Sequence, residues 1–478
     1  MLVLINVFVT RLAAATITNV ASFNGANGHE PSGTLIFDSA GNLYGTTSRG
    51  GTSNMGTVFE LNPHNGAITT LASFSGLNGF SPQAELTFDS NGNLYGTTDS
   101  GGDAGFGTLF RVAAGTHALQ SLASFNNSNG ASPDGGLITD SAGNLYGTTE
   151  LGGSYGDGTV FKYNPSTKSL APLASPNFYQ NGADPYGKLY ADGAGNLFAT
   201  ANLGGKTNKG MIFKIAAGSS TVTTVASFDG TNGYRPQAGM IADKLGNLYG
   251  TTDAGGPYNR GVIFELFAGT NVLTPLAAFD SATGSQPMGD LIADAAGNLF
   301  GTTSAGGRFN HGTVFKLVPS TGTLTTVADL TDAENDGDPV AGLVADAAGN
   351  LYGTAYDGGA HGSGAVFKVS GAGFVVRADF NRNGFVDNAD YNTWRSTFGS
   401  TTLLGADGNG NGIVDAGDYL VWRKAMSQSA GGGVSQPAPV PEPTLFSLVA
   451  GVLGSGLALG RSRAFERRRA VDANNLKL

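Results

Sequence analysis

Along most of the chain, apolar and polar positions alternate in runs of four to seven residues, each closed by Gly, Asn, Asp or Ser. A period of two is the signature of half-buried strands, and these runs show no helical spacing. They come in sets of four. In the second set, AELTFDS, NLYGTT, GTLFRV and LQSLASF are separated by a turn at Asn91-Gly92, a glycine loop and a second turn. Each set predicts one four-stranded antiparallel sheet.

The set repeats. GNLYGTT or a close variant occurs seven times, with its leading glycine at Gly41, Gly92, Gly143, Gly195, Gly246, Gly297 and Gly349, spaced 51 or 52 residues apart. One such sheet is the size of a propeller blade, and seven fall within the range that closes a ring. The expected fold is all-β, a seven-bladed β-propeller over residues 16–377. Its inter-blade core should use Phe59, Phe110, Phe161, Phe213, Phe264, Phe315 and Phe367 on third strands, with Phe74, Phe125, Phe228 and Phe279 ending fourth strands. Two segments compete to complete the last blade, TITNVASF from Thr16 and FVVRADF from Phe374; the first is expected to pair with residues 364–369 and close the ring. Asp38, Asp89, Asp140 and their equivalents, three residues before each repeat glycine, are expected to cap turns.

D-x-x-G-N-L-Y-G-T-T followed by G-G-x-x-x-x-G-T-V-F resembles the GloVer tandem repeat of bacterial surface proteins over residues 24–369. It is more distantly similar to the propeller repeats of two-component sensors. The resemblance implies architecture and a surface setting without a substrate.

The pattern then changes. DFNRNGFVDNAD from Asp379 and DGNGNGIVDAGD from Asp407 each set oxygen side chains at loop positions one, three, five, nine and twelve, with glycine at six. That spacing wraps a hard cation in oxygen ligands, so two calcium ions are expected. The ligands would be Asp379, Asn381, Asn383, Asp387 and Asp390, then Asp407, Asn409, Asn411, Asp415 and Asp418, with the carbonyls of Phe385 and Ile413. A short helix should follow each loop, with apolar stripes Tyr391, Trp394, Phe398 and Tyr419, Trp422, Met426. Residues 378–427 resemble a type I dockerin, which implies a cohesin-like partner. Asn388-Ala389 and Ala416-Gly417 stand where that family often carries Ser/Thr recognition pairs, so the resemblance carries calcium binding further than cohesin binding.

A linker at 428–439 leads to Val440-Pro441-Glu442-Pro443, an apolar stretch at 444–460 and a basic cluster ending in Arg467, Arg468 and Arg469, followed by a tail at 470–478. The stretch is near the short limit for a membrane-spanning helix, and the arginines would hold its end on the cytoplasmic side. Residues 440–469 resemble a PEP-CTERM sorting signal, which implies processing by an exosortase; a plain tail anchor is the alternative. Residues 1–15 read as a weak signal peptide, apolar with Ala13-Ala14-Ala15 but lacking a basic start, as if a longer signal preceded it. Export to the cell surface is expected, with membrane anchoring before processing.

Formal net charge is −10, yet residues 444–478 hold six basic and two acidic residues, leaving 20 basic against 34 acidic elsewhere, a net −14. Such a body disfavours nucleic acid and anionic membrane surfaces. With no cysteine, disulfides and thiolate chemistry are excluded.

The default binding face of a propeller carries the loops between second and third strands. There the residues after each GTT are Ser48, Asp99, Glu150, Asn202, Asp253, Ser304 and Tyr356, and further along stand Phe106, Tyr155, Tyr258, Phe309, His311 and His361. Asp99, Glu150, Asp253, Tyr155, Tyr258 and Phe309 are the ligand-face candidates: aromatics beside hydrogen-bonding groups suit sugar rings. A protein-contact or spacer surface is the competing reading. The histidines show no metal spacing and no serine sits in a nucleophile elbow. A binding or scaffold role is therefore expected, with no catalytic residues assigned. The alternative is a glycan-active hydrolase or lyase using a carboxylate pair such as Glu150 with Asp99 or Asp253.

Overall fold

The computed structural model describes residues 15–38, 40–331, 337–378, 380, 388–401, 406, 408 and 413–429. Seven antiparallel sheets share one order, inner strand to outer strand. The first blade shows the pattern: Ile36–Phe37, Leu43–Arg49, Thr57–Asn62 and Ala67–Ser73. It differs from the expected four strands only by an extra short strand, His29–Pro31, paired to Leu43–Arg49.

The ring closes as the strand count requires. Thr16–Ser22 pairs antiparallel with Ala365–Ser370, from Thr16 opposite Ser370 to Ser22 opposite Ala365, and so supplies the last blade's outer strand from the N-terminus. The competing segment from Phe374 forms no strand; Phe374 packs on Phe300 with ring centroids 5.1 Å apart.

Each part of the GTT signature has a physical task. The glycine faces the third-strand phenylalanine of its own blade: a Cβ on Gly250 would stand 2.6 Å from Phe264 Cζ. The first threonine stitches blades together. In six of them its hydroxyl donates to a carbonyl of the next inner segment, as from Thr97 to Pro133 O at 3.1 Å and Thr302 to Ala341 O at 2.7 Å. Thr354, at the seam where the ring closes, has no such partner. In the first, second, third and sixth blades the second threonine meets the threonine that opens the third strand, as Thr98 meets Thr108 at 2.9 Å.

Between blades, the fully buried ring ending one outer strand stands edge-on to a third-strand ring of the next. The pairs are Phe23–Phe59, Phe74–Phe110, Phe125–Phe161, Phe228–Phe264 and Phe279–Phe315, at 4.9 to 5.1 Å. The aspartate caps form as expected: Asp89 Oδ1 accepts from Asn91 N and Asn93 N, while Oδ2 accepts from the Asn93 amide and the Tyr95 hydroxyl. Burial raises the pKa of Asp89, Asp140, Asp192 and Asp243, but these hydrogen bonds outweigh it and hold each below the usual carboxylate range. One helix inside the propeller departs from the strand-only reading, α1 (Phe178–Asn181), capped by Asn177. It sits in one of the two 52-residue repeat intervals, where the extra residue gives the blade-to-blade loop room for a turn.

Beyond the propeller lie α2 (Asn388–Thr397) and α3 (Ala416–Ser429), as the apolar stripes predict. Trp394 and Trp422 are buried together with Ala378, Phe380, Ala406 and Val414. Residues 1–14 and 430–478, with the sorting motif and apolar stretch, lie outside the described residues. Among the described residues, no helix is long and apolar enough to cross a membrane.

Candidate functional site

Every blade enters its inner strand through the same short motif, Pro-x-Gly/Ala-x-Leu/Met: PSGTL, PQAEL, PDGGL, PYGKL, PQAGM, PMGDL and PVAGL. The extended backbone turns both variable side chains of this motif toward one side. They line a central cavity of about 200 Å3 to which all seven blades contribute. Ser32, Gln83, Asp134, Tyr186, Gln237, Met288 and Val340 form its upper ring, nearer the mouth; Thr34, Glu85, Gly136, Lys188, Gly239, Asp290 and Gly342 form the lower. These rings were not among the sequence candidates. The signal that could have found them is variation at two positions between a fixed proline and a fixed leucine or methionine.

Above them stand the post-GTT residues. The residue before each motif proline, Glu30, Ser81, Ser132, Asp184, Arg235, Gln286 or Asp338, has φ between 51° and 59°. Left-handed backbone is unfavourable for such side chains, more so before proline. Backbone hydrogen bonds hold it: Asp99 N donates to Ser81 O and Glu150 N to Ser132 O, each at 3.0 Å. A repeated, strained frame thus presents a different combination of side chains in each blade.

The decoration is uneven. In the first and fifth blades the mouth carboxylates are paired, Glu30 with Arg49 at 3.1 Å and Asp253 with Arg235 at 3.4 Å. Deeper, Glu85 and Lys188 meet at 2.7 Å. The sector of blades two to four is different, because Asp134 stands near Asp99 and Glu150 with no cation opposing it. Burial, then Asp99 and Glu150, pushes the Asp134 carboxyl well above its ordinary range. Burial, then Asp184 and Asp99, raises Glu150; burial and Asp157 raise Asp184. Burial and the Asp134, Glu150 and Asp99 carboxylates also raise the Tyr186 hydroxyl. Four polar atoms of the channel and its mouth, from the first, third, fourth and fifth blades, are buried without a partner in the protein: Ser32 Oγ, Asp134 Oδ1, Asn202 Oδ1 and Gln237 Oε1.

The structure therefore divides the ligand-face candidates. Asp99 and Glu150 gather with Asp134, whereas Asp253 is taken up by Arg235. Tyr155, Tyr258 and Phe309 are exposed but do not line the cavity. Their loops lean outward: Ser154 N donates to Ser175 Oγ and Arg308 N to Asp329 Oδ1, on or beside the outer strands. Neighbours in loop sequence thus sit at different radii.

Raised carboxyls destabilise as they ionise. The contribution of Asp134, Glu150 and Asp184 is fully present below their unfolded values, near about 4, and is lost as pH rises through the folded ones. The turn aspartates act oppositely, losing stability as pH falls below the unfolded range. Stability should therefore peak on the mildly acid side. Asp134→Asn should raise Tm at neutral pH by about 2 °C or more and flatten the decline above about pH 5. Thermal melts across a buffer series test this; identical profiles for parent and variant would exclude the like-charge cluster.

In the α-helical module, the described members of the predicted ligand sets are Asp390, Ile413, Asp415 and Asp418; Asp379, Asn381, Asn383, Phe385, Asp387, Asp407, Asn409 and Asn411 lie outside the described residues. Asp390 and Asp418, both at loop position twelve, are fully buried. Asp415 Oδ1 accepts from Gly417 N, and Asp418 Oδ2 accepts from Asp415 N, both at 2.7 Å, a reciprocal cap that opens α3. Among the described residues, no cluster of three or more His, Asp or Glu is placed to hold a metal.

Seven four-stranded blades around a lined channel define the chain as a β-propeller repeat protein. It belongs to the Gloeobacter/Verrucomicrobia repeat family, which matches residues 6–89, 78–245 and 219–418. No curated protein is similar to it in sequence. Among solved structures, it is similar to the extracellular domain described as that of a hybrid two-component system from B. thetaiotaomicron, at 10% identity and TM-score 0.51. That match covers 73% of this chain and 39% of the other, so the chain spans about two fifths of that length. An oligogalacturonate lyase from Vibrio parahaemolyticus matches at 11% identity and TM-score 0.48, over 75% of this chain and 97% of the lyase. At 10% identity the likeness to the first of these is one of fold alone.

Proposed function

We propose that the chain is an exported cell-surface binding protein whose channel mouth takes a neutral or cationic ligand rich in hydrogen-bond donors, most fittingly the end of a glycan. The observation that carries this reading is the set of unpartnered buried oxygens on Ser32, Asp134, Asn202 and Gln237. A buried acceptor without a donor costs about 1–3 kcal/mol, which sugar hydroxyls would offset. Uronate polymers fit poorly, since Asp99, Asp134 and Glu150 would repel them. Full-length protein on a glycan array is expected to bind neutral glycans, with about tenfold weaker binding in Asp134→Asn and Gln237→Leu. Absence of binding to any glycan would move the function to a protein-contact scaffold.

The raised carboxyl of Asp134 beside Glu150 favours one second reading, a glycan-active enzyme with an acid and a base at the mouth. Turnover of a neutral polysaccharide that disappears in both Asp134→Asn and Glu150→Gln would establish it.

The buried pair Asp390 and Asp418 supports two calcium sites in the dockerin-like module, whose partner would be cohesin-like or another envelope protein. Asp390, Asp415 and Asp418 would supply carboxylate oxygens and Ile413 its carbonyl. Chelator should expose Trp394 and Trp422 and change their fluorescence while the propeller signal persists. Unchanged fluorescence would count against calcium. In this reading the C-terminal sorting signal is processed by an exosortase-type enzyme that delivers the protein to the surface.

A further inference from the structure

The end of the propeller opposite the mouth carries an apolar groove between the third and fourth blades, about 590 Å3 in volume. Its walls include Ile138, Tyr146, Leu197 and Ile215, its floor Ala191 and Gly218. The repeat supplies a filled copy of this groove. Between the sixth and seventh blades the matching residues are Ile292, Phe300, Leu351, Val369, Ala345 and Ala372, and Phe374 packs against that cluster. The segment is free to do so because the seventh blade takes its outer strand from the N-terminus, so the chain leaving Ser370 need not turn back.

The occupant is held by ring and backbone together. Phe374 stands 5.1 Å from Phe300, Ala295 N donates to Val375 O at 2.8 Å, and Lys316 Nζ donates to Gly373 O at 3.5 Å. In the open groove Tyr146, Ser141 and Lys162 occupy the places of Phe300, Ala295 and Lys316, and Lys162 Nζ lies over Tyr146 at 5.2 Å just as Lys316 lies over Phe300 at 5.3 Å. Two other interfaces show a different filling. Phe88 stands edge-on to Tyr44 at 5.3 Å and Phe37 to Tyr352 at 5.6 Å, each at the inner-strand position that is Ala191 in the fourth blade.

We infer that the groove between the third and fourth blades is a docking site for an extended segment of a partner polypeptide in which a small residue precedes a phenylalanine and a β-branched residue follows it. The ring lies against Tyr146, the carbonyl before it meets Lys162, and the carbonyl of the β-branched residue meets the Ser141 N–H. This surface is independent of the channel mouth and of any ligand bound there.

The test uses full-length protein and a fluorescent peptide, Gly-Ala-Gly-Phe-Val-Val-Arg, which is the sequence of residues 371–377. Polarisation should show saturable one-site binding, absent when the peptide phenylalanine is replaced by glycine. Ala191→Phe, which installs the ring that Phe88 and Phe37 already carry, should lower affinity about tenfold or more with unchanged melting. Lys162→Ala, a smaller change that serves if Ala191→Phe fails to fold, should weaken binding about threefold. Binding that does not saturate, or that neither variant affects, overturns the site. Concentration-dependent dimers that Ala191→Phe converts to monomers would assign the groove to a second copy and overturn the partner segment.

Discussion

Removing the N-terminus through Phe23 is expected to abolish cooperative folding of the whole propeller, although only one of its strands is lost. Thr16–Ser22 covers Ala365–Ser370, whose first three residues are fully buried, and Phe23 is itself fully buried against Phe59 in the first blade. Loss of that ring alone costs about 3–5 kcal/mol. Six register partners along the strand add about 0.5–1.5 kcal/mol for each backbone hydrogen bond forgone. Together these approach the whole stability of an ordinary domain, about 5–15 kcal/mol. The deletion also leaves the backbone edge of Ala365–Ser370 unpaired, a template for aggregation. Thermal melts and sedimentation of the truncated protein should show a broad, early transition and large species. A truncated protein that melts like the parent would mean that the segment from Phe374 leaves its groove and takes the missing strand's place.

The closing strand shows what the sequence makes legible. A strand announces itself by alternation, and seven copies turn a weak local signal into a strong one; the phenylalanines in register and the turn aspartates could be read the same way. The channel rings could not, because inner-strand entries such as Ser32 to Leu35 carry no alternation that separates channel from core. Their function lies in what differs between copies, while alignment of repeats draws attention to what is shared. Asp99 and Glu150 were found because they follow a fixed motif, but Asp134, which completes their cluster, comes from another segment of the third blade and meets them only in space. Tyr155, Tyr258 and Phe309 lie a few residues beyond the mouth residues in sequence, and loops held to the outer strands carry them away from the axis. α1 escaped because one added residue in a repeat interval gives no periodic signal.

Phe279→Ala should destabilise the propeller by about 3–5 kcal/mol, whereas Phe279→Leu should cost about 1.5 kcal/mol or less. Phe279 and Phe315 are both fully buried, 4.9 Å apart with ring planes at 70°. Alanine would leave a ring-sized cavity between two sheets that cannot collapse without moving a blade. Leucine is different because the chain already uses it: Leu330, fully buried, ends the sixth blade's outer strand at the same place and faces Phe367 in the seventh. An edge-on aromatic pair contributes about 0.5–1.5 kcal/mol beyond its buried area, so a double-mutant cycle of Phe279→Leu with Phe315→Leu should return a coupling of that size. Urea titration gives these differences. Amide exchange would show where they act. In a closed ring the other six interfaces still tether the two blades, so weakening this one should first open the fifth and sixth blades locally and only then unfold the rest. Uniformly faster exchange in all seven blades would instead show that the ring opens as a single unit, with no interface able to yield alone.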